Sequence, residues 1–281
     1  MKNRLTLPFG FLSLLVIAQM VNGQKMNADE VITRHLASIA PAEKLSLIKS
    51  FIAVGEVRVD YITQKNQSAA GRIVIASEGN KMFIGMRLDA TDYPQEKIIF
   101  DGNKAAVAMV RAGTRSVLGN FIQSNSSILS QGALSGALTT SWALLAADGQ
   151  RAKISSAGSK KIDGKEVYAL TFSPKGGGDL DITMFFDQQT FRHVRTEYRR
   201  TSSAGIGRTI DESARQSETR LKITEDFSDF KDFQGMTLPN KYRIHYTITG
   251  ANGTTEIAWI CNLTEFAINQ PLDAGTFETG K

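Results

Sequence analysis

The segment KYRIHYTITGANGTTEIAWICNLTEF, residues 241–266, carries the pattern that decides the fold. Polar and apolar side chains alternate from Lys241 to Ile248, and apolar side chains return around Trp259. Successive side chains of a strand point to opposite faces of its sheet, so this period of two predicts two strands with one apolar face each. Asn252-Gly253 between them is a hairpin signal, which predicts antiparallel pairing.

Shorter runs of the same kind precede this hairpin. They predict strands at 51–62, 71–76, 81–88, 96–100, 105–110, 166–172, 180–186, 191–199 and 219–227, with turn residues between them. A sheet with so long an apolar face must bury it under a second layer or curl around it. We therefore expect a mainly β (α+β) fold, in which a curved antiparallel sheet forms a half-barrel.

Two stretches follow a helical period instead. Residues 27–39 have apolar side chains at helical spacing and acidic residues in the first turn, which predicts an N-terminal helix that ends before Pro41. Apolar residues recur at mainly helical intervals from about 115 to 147, which predicts a helical insertion on the concave face of the sheet. A core-capping helix pair and a lid over a ligand explain this insertion equally well. The polar stretch 202–217 predicts an exposed loop.

The N-terminus predicts export. Lys2 and Arg4 precede an uncharged apolar run at 5–21, and small residues follow it at 21–23. This order is typical of a cleavable signal peptide at 1–23, with a single periplasmic domain at 24–281. The alternative, an uncleaved anchor, has a run at the short limit of about 17 residues for a spanning helix.

The net charge and the spacing of cysteine, histidine and serine residues argue against several classes of function. The net charge of +5 is too mild to predict a nucleic-acid partner, and Cys261, the single cysteine, lies in an apolar strand where a buried, inert thiol is expected. His35, His193 and His245 have no zinc-ligand spacing, and no Gly-x-Ser-x-Gly motif occurs. We expect no catalytic residues, no metal and no cofactor. The row His193, Arg195, Glu197 and Arg199 predicts cross-strand salt bridges, with anion recognition as the alternative.

Several short passages resemble a known family. They are the N-terminal helix, IKSF at 48–51 with GEV at 55–57, FDGNK at 100–104, and DFKDFQGMTLP at 229–239. Together, in this order, they resemble the outer-membrane lipoprotein-sorting protein family, which includes the periplasmic carrier LolA and has a related fold in LolB. The resemblance implies a half-barrel wrapped over helices that plug an apolar cavity for acyl chains. The residues that would line it are Phe121, Ile122, Trp142, Leu145, Leu170, Phe172, Ile182, Met184, Phe186, Ile244, Tyr246 and Trp259.

The resemblance therefore implies a monomeric periplasmic protein that binds lipid or lipoprotein acyl chains, with lipoprotein sorting to the outer membrane as its purpose. The alternative is an envelope regulator or scaffold that binds another protein through the same fold. An enzyme with a hidden site is a third hypothesis, without a nucleophile and base that the sequence can name.

Overall fold

The computed structural model describes residues 26–64, 67–145, 152–204 and 217–279. The predicted signal peptide and most of the predicted loop at 202–217 lie outside these residues. The helices are α1 (Ala28–Ile39), α2 (Ala42–Ser46), α3 (Val117–Ser124) and α4 (Ser127–Ser130). The strands are β1 (Ser50–Tyr61), β2 (Gln67–Glu78), β3 (Lys81–Leu88), β4 (Gln95–Phe100), β5 (Ala105–Val107), β6 (Ala152–Ile162), β7 (Lys165–Pro174), β8 (Asp181–Asp187), β9 (His193–Ser202), β10 (Thr219–Phe233), β11 (Met236–Gly250) and β12 (Gly253–Ile268).

All twelve strands form one antiparallel sheet in the order β5-β4-β3-β2-β1-β12-β11-β10-β9-β8-β7-β6. The chain meanders outward from β1 to β5 and returns inward from β6 to β12, where the last strand pairs with the first. β5 and β6 are thus opposite edges, and no ladder between described residues joins them. The described part of the segment that connects them, residues 108–145, packs against the sheet.

This connecting segment is the insertion, which contains α3, α4 and the short 3₁₀ helices Gly136–Leu138 and Ala143–Leu145. Its apolar side chains and the inward side chains of the strands form one continuous core. Trp142, at its centre, is fully buried. The predicted fold, a curved antiparallel sheet with an N-terminal helix and a helical plug, is confirmed.

The curvature has a local cause at Gly55. The register between β1 and β12 shifts between Val54 and Gly55, which is a β-bulge that bends the strand. A Cβ atom at Gly55 would lie 2.1 Å from the carbonyl oxygen of Asn262, so only glycine allows β12 to approach this closely.

The element predictions differ from the structure in several places. α2 was not predicted, β10 continues to Phe233 and β11 begins at Met236, past the predicted limits at 227 and 241. Strands are expected to resume after Gly149, but β6 was given no bounds, because this edge strand is mostly exposed and polar on both faces. The predicted strand at 105–110 ends at Val107, because the chain turns through the Arg111–Thr114 bridge before it reaches α3. In the described part of the chain, no helix has the length and apolarity needed to cross a membrane.

Candidate ligand-binding cleft

A cleft of about 1030 Å³ lies between α1 and α2 on one side and the insertion on the other. Phe51 and Met236 line it from the sheet, and Ile154 lines it from β6. Its volume is at the upper end of the range of about 300–1000 Å³ that is usual for ligand pockets.

The lining is mainly apolar, and much of it is small. The apolar lining residues are Ile32, Leu36, Ala37, Ile39, Ala40, Pro41, Ala42, Leu45, Ile48, Phe51, Ala137, Ala143, Leu144, Leu145, Ile154 and Met236. The polar ones are Asp29, Thr33, Ser46, Thr139 and Thr140, and no described lining residue is basic. The cleft therefore offers an apolar interior with hydroxyl groups and one carboxyl group.

Helix α1 forms the first wall. Asn27 caps it, since its side-chain oxygen accepts a hydrogen bond from the backbone N–H of Glu30 at 2.8 Å. Val31 and His35 are buried and face the core, Ile39 is buried and also borders the cleft, and Ile32 and Leu36 are only partly buried and line the cleft. The helix thus buries one stripe and offers the neighbouring stripe to the cleft.

A buried aromatic cluster anchors α1 to the core beneath the cleft. The Nδ1 atom of His35 donates to the carbonyl of Phe191 at 2.7 Å, which fixes the tautomer. Its ring meets the edge of Trp142 at 5.0 Å, and His193 stacks on Trp142 at 5.2 Å. Burial lowers the pKa of His35 to about 4, and burial with the neighbouring His35 lowers the pKa of His193 well below its usual value. Both rings are therefore neutral at pH 7.

The insertion forms the second wall, and two buried glutamates tie it to the sheet. Glu96 accepts hydrogen bonds from the hydroxyl of Ser116, the N-cap of α3, and from Tyr93 at 2.5 Å. The indole N–H of Trp259 donates to the Tyr93 oxygen at 3.0 Å. Burial raises the pKa of Glu96 above its usual value. This network fixes the start of α3 against the sheet.

The second glutamate, Glu225, fixes the middle of the insertion. Its Oε1 atom accepts from the backbone N–H of Ser135 at 2.8 Å and from the hydroxyl of Tyr242 at 2.5 Å. Its Oε2 atom lies 2.6 Å from the hydroxyl of Tyr198. The carboxyl group is completely buried, and burial raises its pKa to about 7.

The structure separates the residues proposed from sequence to contact lipid. Leu145 lines the cleft. The other eleven lie in the buried core where the insertion and the sheet meet: Phe121, Ile122, Trp142, Leu170, Phe172, Ile182, Met184, Phe186, Ile244, Tyr246 and Trp259. The residues proposed from the sequence do not include any lining residue of α1 or α2. Ile32 and Leu36 belong to the apolar stripe of α1 but are not among its buried residues.

The convex face of the sheet carries the predicted salt bridges. Arg195 binds Asp226 at 2.5 Å and Asp163 at 3.2 Å, and Glu197 binds Lys222 at 2.7 Å and also Arg199. The prediction was wrong for His193. A register shift between Phe185 and Phe186 turns its side chain to the opposite face, where it joins the core.

Metal ligands do not converge in the described ranges: no group of three or more His, Cys, Asp or Glu residues is placed to hold a metal ion. Burial raises the pKa of the Cys261 thiol, which leaves it protonated and unreactive at neutral pH.

No protein-family model and no curated protein matches the chain. Among solved structures it is similar to a LolA superfamily protein from Nitrosomonas europaea, with 14% identity and a TM-score of 0.48, over 90% of this chain and 98% of that chain. It is similar to an outer membrane lipoprotein-sorting protein domain from Vibrio parahaemolyticus, with 11% identity and a TM-score of 0.46, over 88% and 94% of the two chains. The Pseudomonas aeruginosa MucA/MucB complex matches with 8% identity and a TM-score of 0.22, over 86% and 99%. At these identities the similarity concerns chain architecture alone.

Proposed function

We propose that this chain is a non-catalytic binding protein of the bacterial envelope that holds acyl chains of a lipid or lipoprotein in the cleft. The single observation that carries the proposal is the apolar lining of a 1030 Å³ space between α1–α2 and the insertion. The finer part of the proposal is that the protein acts as a periplasmic monomer and delivers its cargo for lipoprotein sorting to the outer membrane.

The energetics favour an extended apolar ligand. Each methylene group that leaves water contributes about 0.8 kcal/mol, so one acyl chain gains several kcal/mol in such a cleft. Leu36, Leu45 and Ile48 are only partly buried, so they have apolar surface left to cover. Asp29, Thr33 and Ser46 supply polar contacts for the head of the ligand.

The first experiment asks whether the protein carries lipid. Native mass spectrometry and lipid extraction are applied to residues 24–281 purified from a periplasmic fraction. We expect a stoichiometric co-purifying lipid. A clean apo mass, together with rejection of added fatty-acyl probes, would retire the proposal and favour the protein-binding alternative.

A matched pair of variants then places the ligand. Ala37 is exposed on α1 and lines the cleft, so a Trp ring there fills the cleft without disturbing the core. Ala70 is equally exposed but lies on β2, outside the cleft lining. We expect Ala37→Trp to weaken binding of cis-parinaric acid, a fluorescent fatty acid, at least about tenfold, and Ala70→Trp to leave it unchanged. Equal affinities in the two variants would place the ligand elsewhere.

A further inference from the structure

Glu225 is an acid at an inward position of β10, between the buried side chains of Ile223 and Phe227. Its carboxyl group meets the insertion directly, since Ser135 donates to it from the backbone. The insertion goes on from Ser135 into residues 137–145, which include the second wall of the cleft. The state of this carboxyl group therefore bears on the cleft wall.

If Glu225 is ionised, the buried network around it has one acceptor more than its donors can satisfy. The Tyr198 hydroxyl lies 2.6 Å from Oε2 of Glu225 and 3.0 Å from the carbonyl oxygen of Ala133. It has a single proton, so it can donate to only one of these two buried acceptors. With an ionised Glu225, either the Ala133 carbonyl or Oε2 loses this donor.

A proton on Oε2 completes the network. The carboxyl group then donates to the Tyr198 oxygen, and Tyr198 donates to Ala133, which joins sheet and insertion in one chain of hydrogen bonds. Oε1 keeps the two hydrogen bonds from Ser135 and Tyr242. Each polar group in the network has a partner in this form, whereas burial makes the loss of one expensive.

The surrounding charges do not favour the ionised form. Tyr198 on β9 and Tyr242 on β11 contact the carboxyl group, and the Cys261 thiol on β12 acts on Tyr242; all three groups are neutral at pH 7 because burial raises each pKa. Asp226, the next residue on β10, adds a negative charge that raises the pKa of Glu225 further. The insertion offers Ala133 and Ser135, which do not titrate, and the nearby His193 is neutral.

We infer that Glu225 is a proton-controlled latch: its neutral form fastens residues 133–135 to the sheet, and loss of its proton loosens the insertion and thereby the second wall of the cleft. The latch is a property of the fold, and its effect on a ligand rests on the proposed function.

The pH window follows from linkage. In the open insertion the carboxyl group returns to its ordinary pKa near 4.5, whereas in the closed form the pKa is about 7. The open form therefore gains about tenfold in population for each pH unit between these two values, and the gain stops above the upper one. The closed form is most stable on the acidic side of this window.

Amide hydrogen exchange of residues 133–145, corrected for the intrinsic pH dependence of exchange, tests the latch on the full chain from about pH 5 to pH 8. We expect protection in the wild type to fall about fortyfold between about pH 5 and pH 7 and to level off above pH 7. Glu225→Gln keeps a donor and an acceptor without the titration, so its profile is flat. Glu197→Gln, a buried carboxylate on the convex face, is the matched control and follows the wild type.

A wild-type profile as flat as that of Glu225→Gln would overturn the latch. If Glu225→Gln does not fold, infrared spectroscopy of the wild type gives the answer instead. The C=O band of a buried carboxylic acid should persist at neutral pH and disappear as the pH rises past about 7, and its absence at pH 6 would overturn the inference.

The two proposals fail in different ways. If cis-parinaric acid is released faster across the same pH window as the loss of protection, the latch controls the cleft. If exchange follows the expected profile but the protein binds no acyl probe, the latch stands and the proposed function fails. Probe binding with a flat exchange profile overturns the latch alone.

Discussion

The concave side of the sheet has two regions, one packed and one open. In one, the insertion lies on the strands, and large side chains such as Trp142, Phe172 and Tyr198 fill the space completely. In the other, α1 and α2 face the insertion across a cleft of about 1030 Å³. The cleft walls combine Leu and Ile side chains with short ones, including Ala37, Ala137, Thr139, Thr140 and Ala143, and the short ones leave space between the walls.

The difference teaches that the strand face alone does not decide between core and binding site. A packed interior needs side-chain volume from both layers at once. Where the insertion brings Trp142 and Leu138 against the strands, the interior closes, and where it brings Ala137, Thr139, Thr140 and Ala143 beside Leu144 and Leu145, space remains. The residues that define the cleft therefore belong mainly to the helices and the insertion.

The largest expected effect is the loss of stability when a large side chain is removed from the packed region. Phe172→Ala removes a side chain that is 1% exposed, and the loss of burial plus the cavity left behind should lower the free energy of unfolding by about 3–5 kcal/mol. Leu36→Ala in the cleft wall should lower it by roughly 1 kcal/mol, because Leu36 is only partly buried. Denaturant unfolding measures both. Equal losses would mean that the two regions are packed alike.

The second effect concerns the seam between the two regions, where His35 joins α1 to Trp142. Its pKa is about 4 in the folded protein against 6.5 in the unfolded chain, so the unfolded chain binds a proton first on acidification. The wild type should lose about 3 kcal/mol of stability between pH 6.5 and pH 4 relative to His35→Asn, which keeps a donor for Phe191 but does not titrate. Unfolding free energies at several pH values measure the difference, and parallel curves for the two proteins would contradict it.

The smallest effect compares the helix caps of the two regions. Asn27→Ala removes the cap of α1 in the cleft wall and should lower the free energy of unfolding by about 1 kcal/mol. Ser116→Ala removes the cap of α3 and also a hydrogen bond to the buried Glu96, so we expect a loss of about 2 kcal/mol. Thermal and denaturant unfolding provide both values. A greater loss for Asn27→Ala would reverse the comparison.

Much of the fold was predictable because strands and helices differ in period. The alternation at 241–266 predicts β11, the turn and β12, and the first-turn acids and apolar spacing of 27–39 predict α1. The bounds of β6 were not predicted, because an exposed edge strand has no apolar face that marks its ends. The inward position of the His193 side chain was not predicted, because the bulge that turns it depends on the pairing of β9 with β8.

The cleft was less predictable than the fold. Its lining comes from segments far apart in the chain, and the space between them depends on side-chain sizes that meet only in three dimensions. Lipid contact by the eleven core residues stays a prediction, while Leu145 also lines the observed cleft. One feature of the sequence indicates the buried site at Glu225. Glu225 interrupts the inward apolar series of Leu221, Ile223 and Phe227, and an acid in such a series needs a buried partner.

The most direct test of the central claim is photo-crosslinking with a fatty acid that carries a diazirine group on its chain, followed by peptide mass spectrometry of the labelled full chain. If acyl chains occupy the cleft, the label should attach to residues of α1, α2 and the insertion, such as Leu36, Leu45 and Leu145, and Ala37→Trp should suppress it. Labels confined to the strand residues Phe172, Met184 and Ile244, or labelling that Ala37→Trp leaves unchanged, would contradict the account.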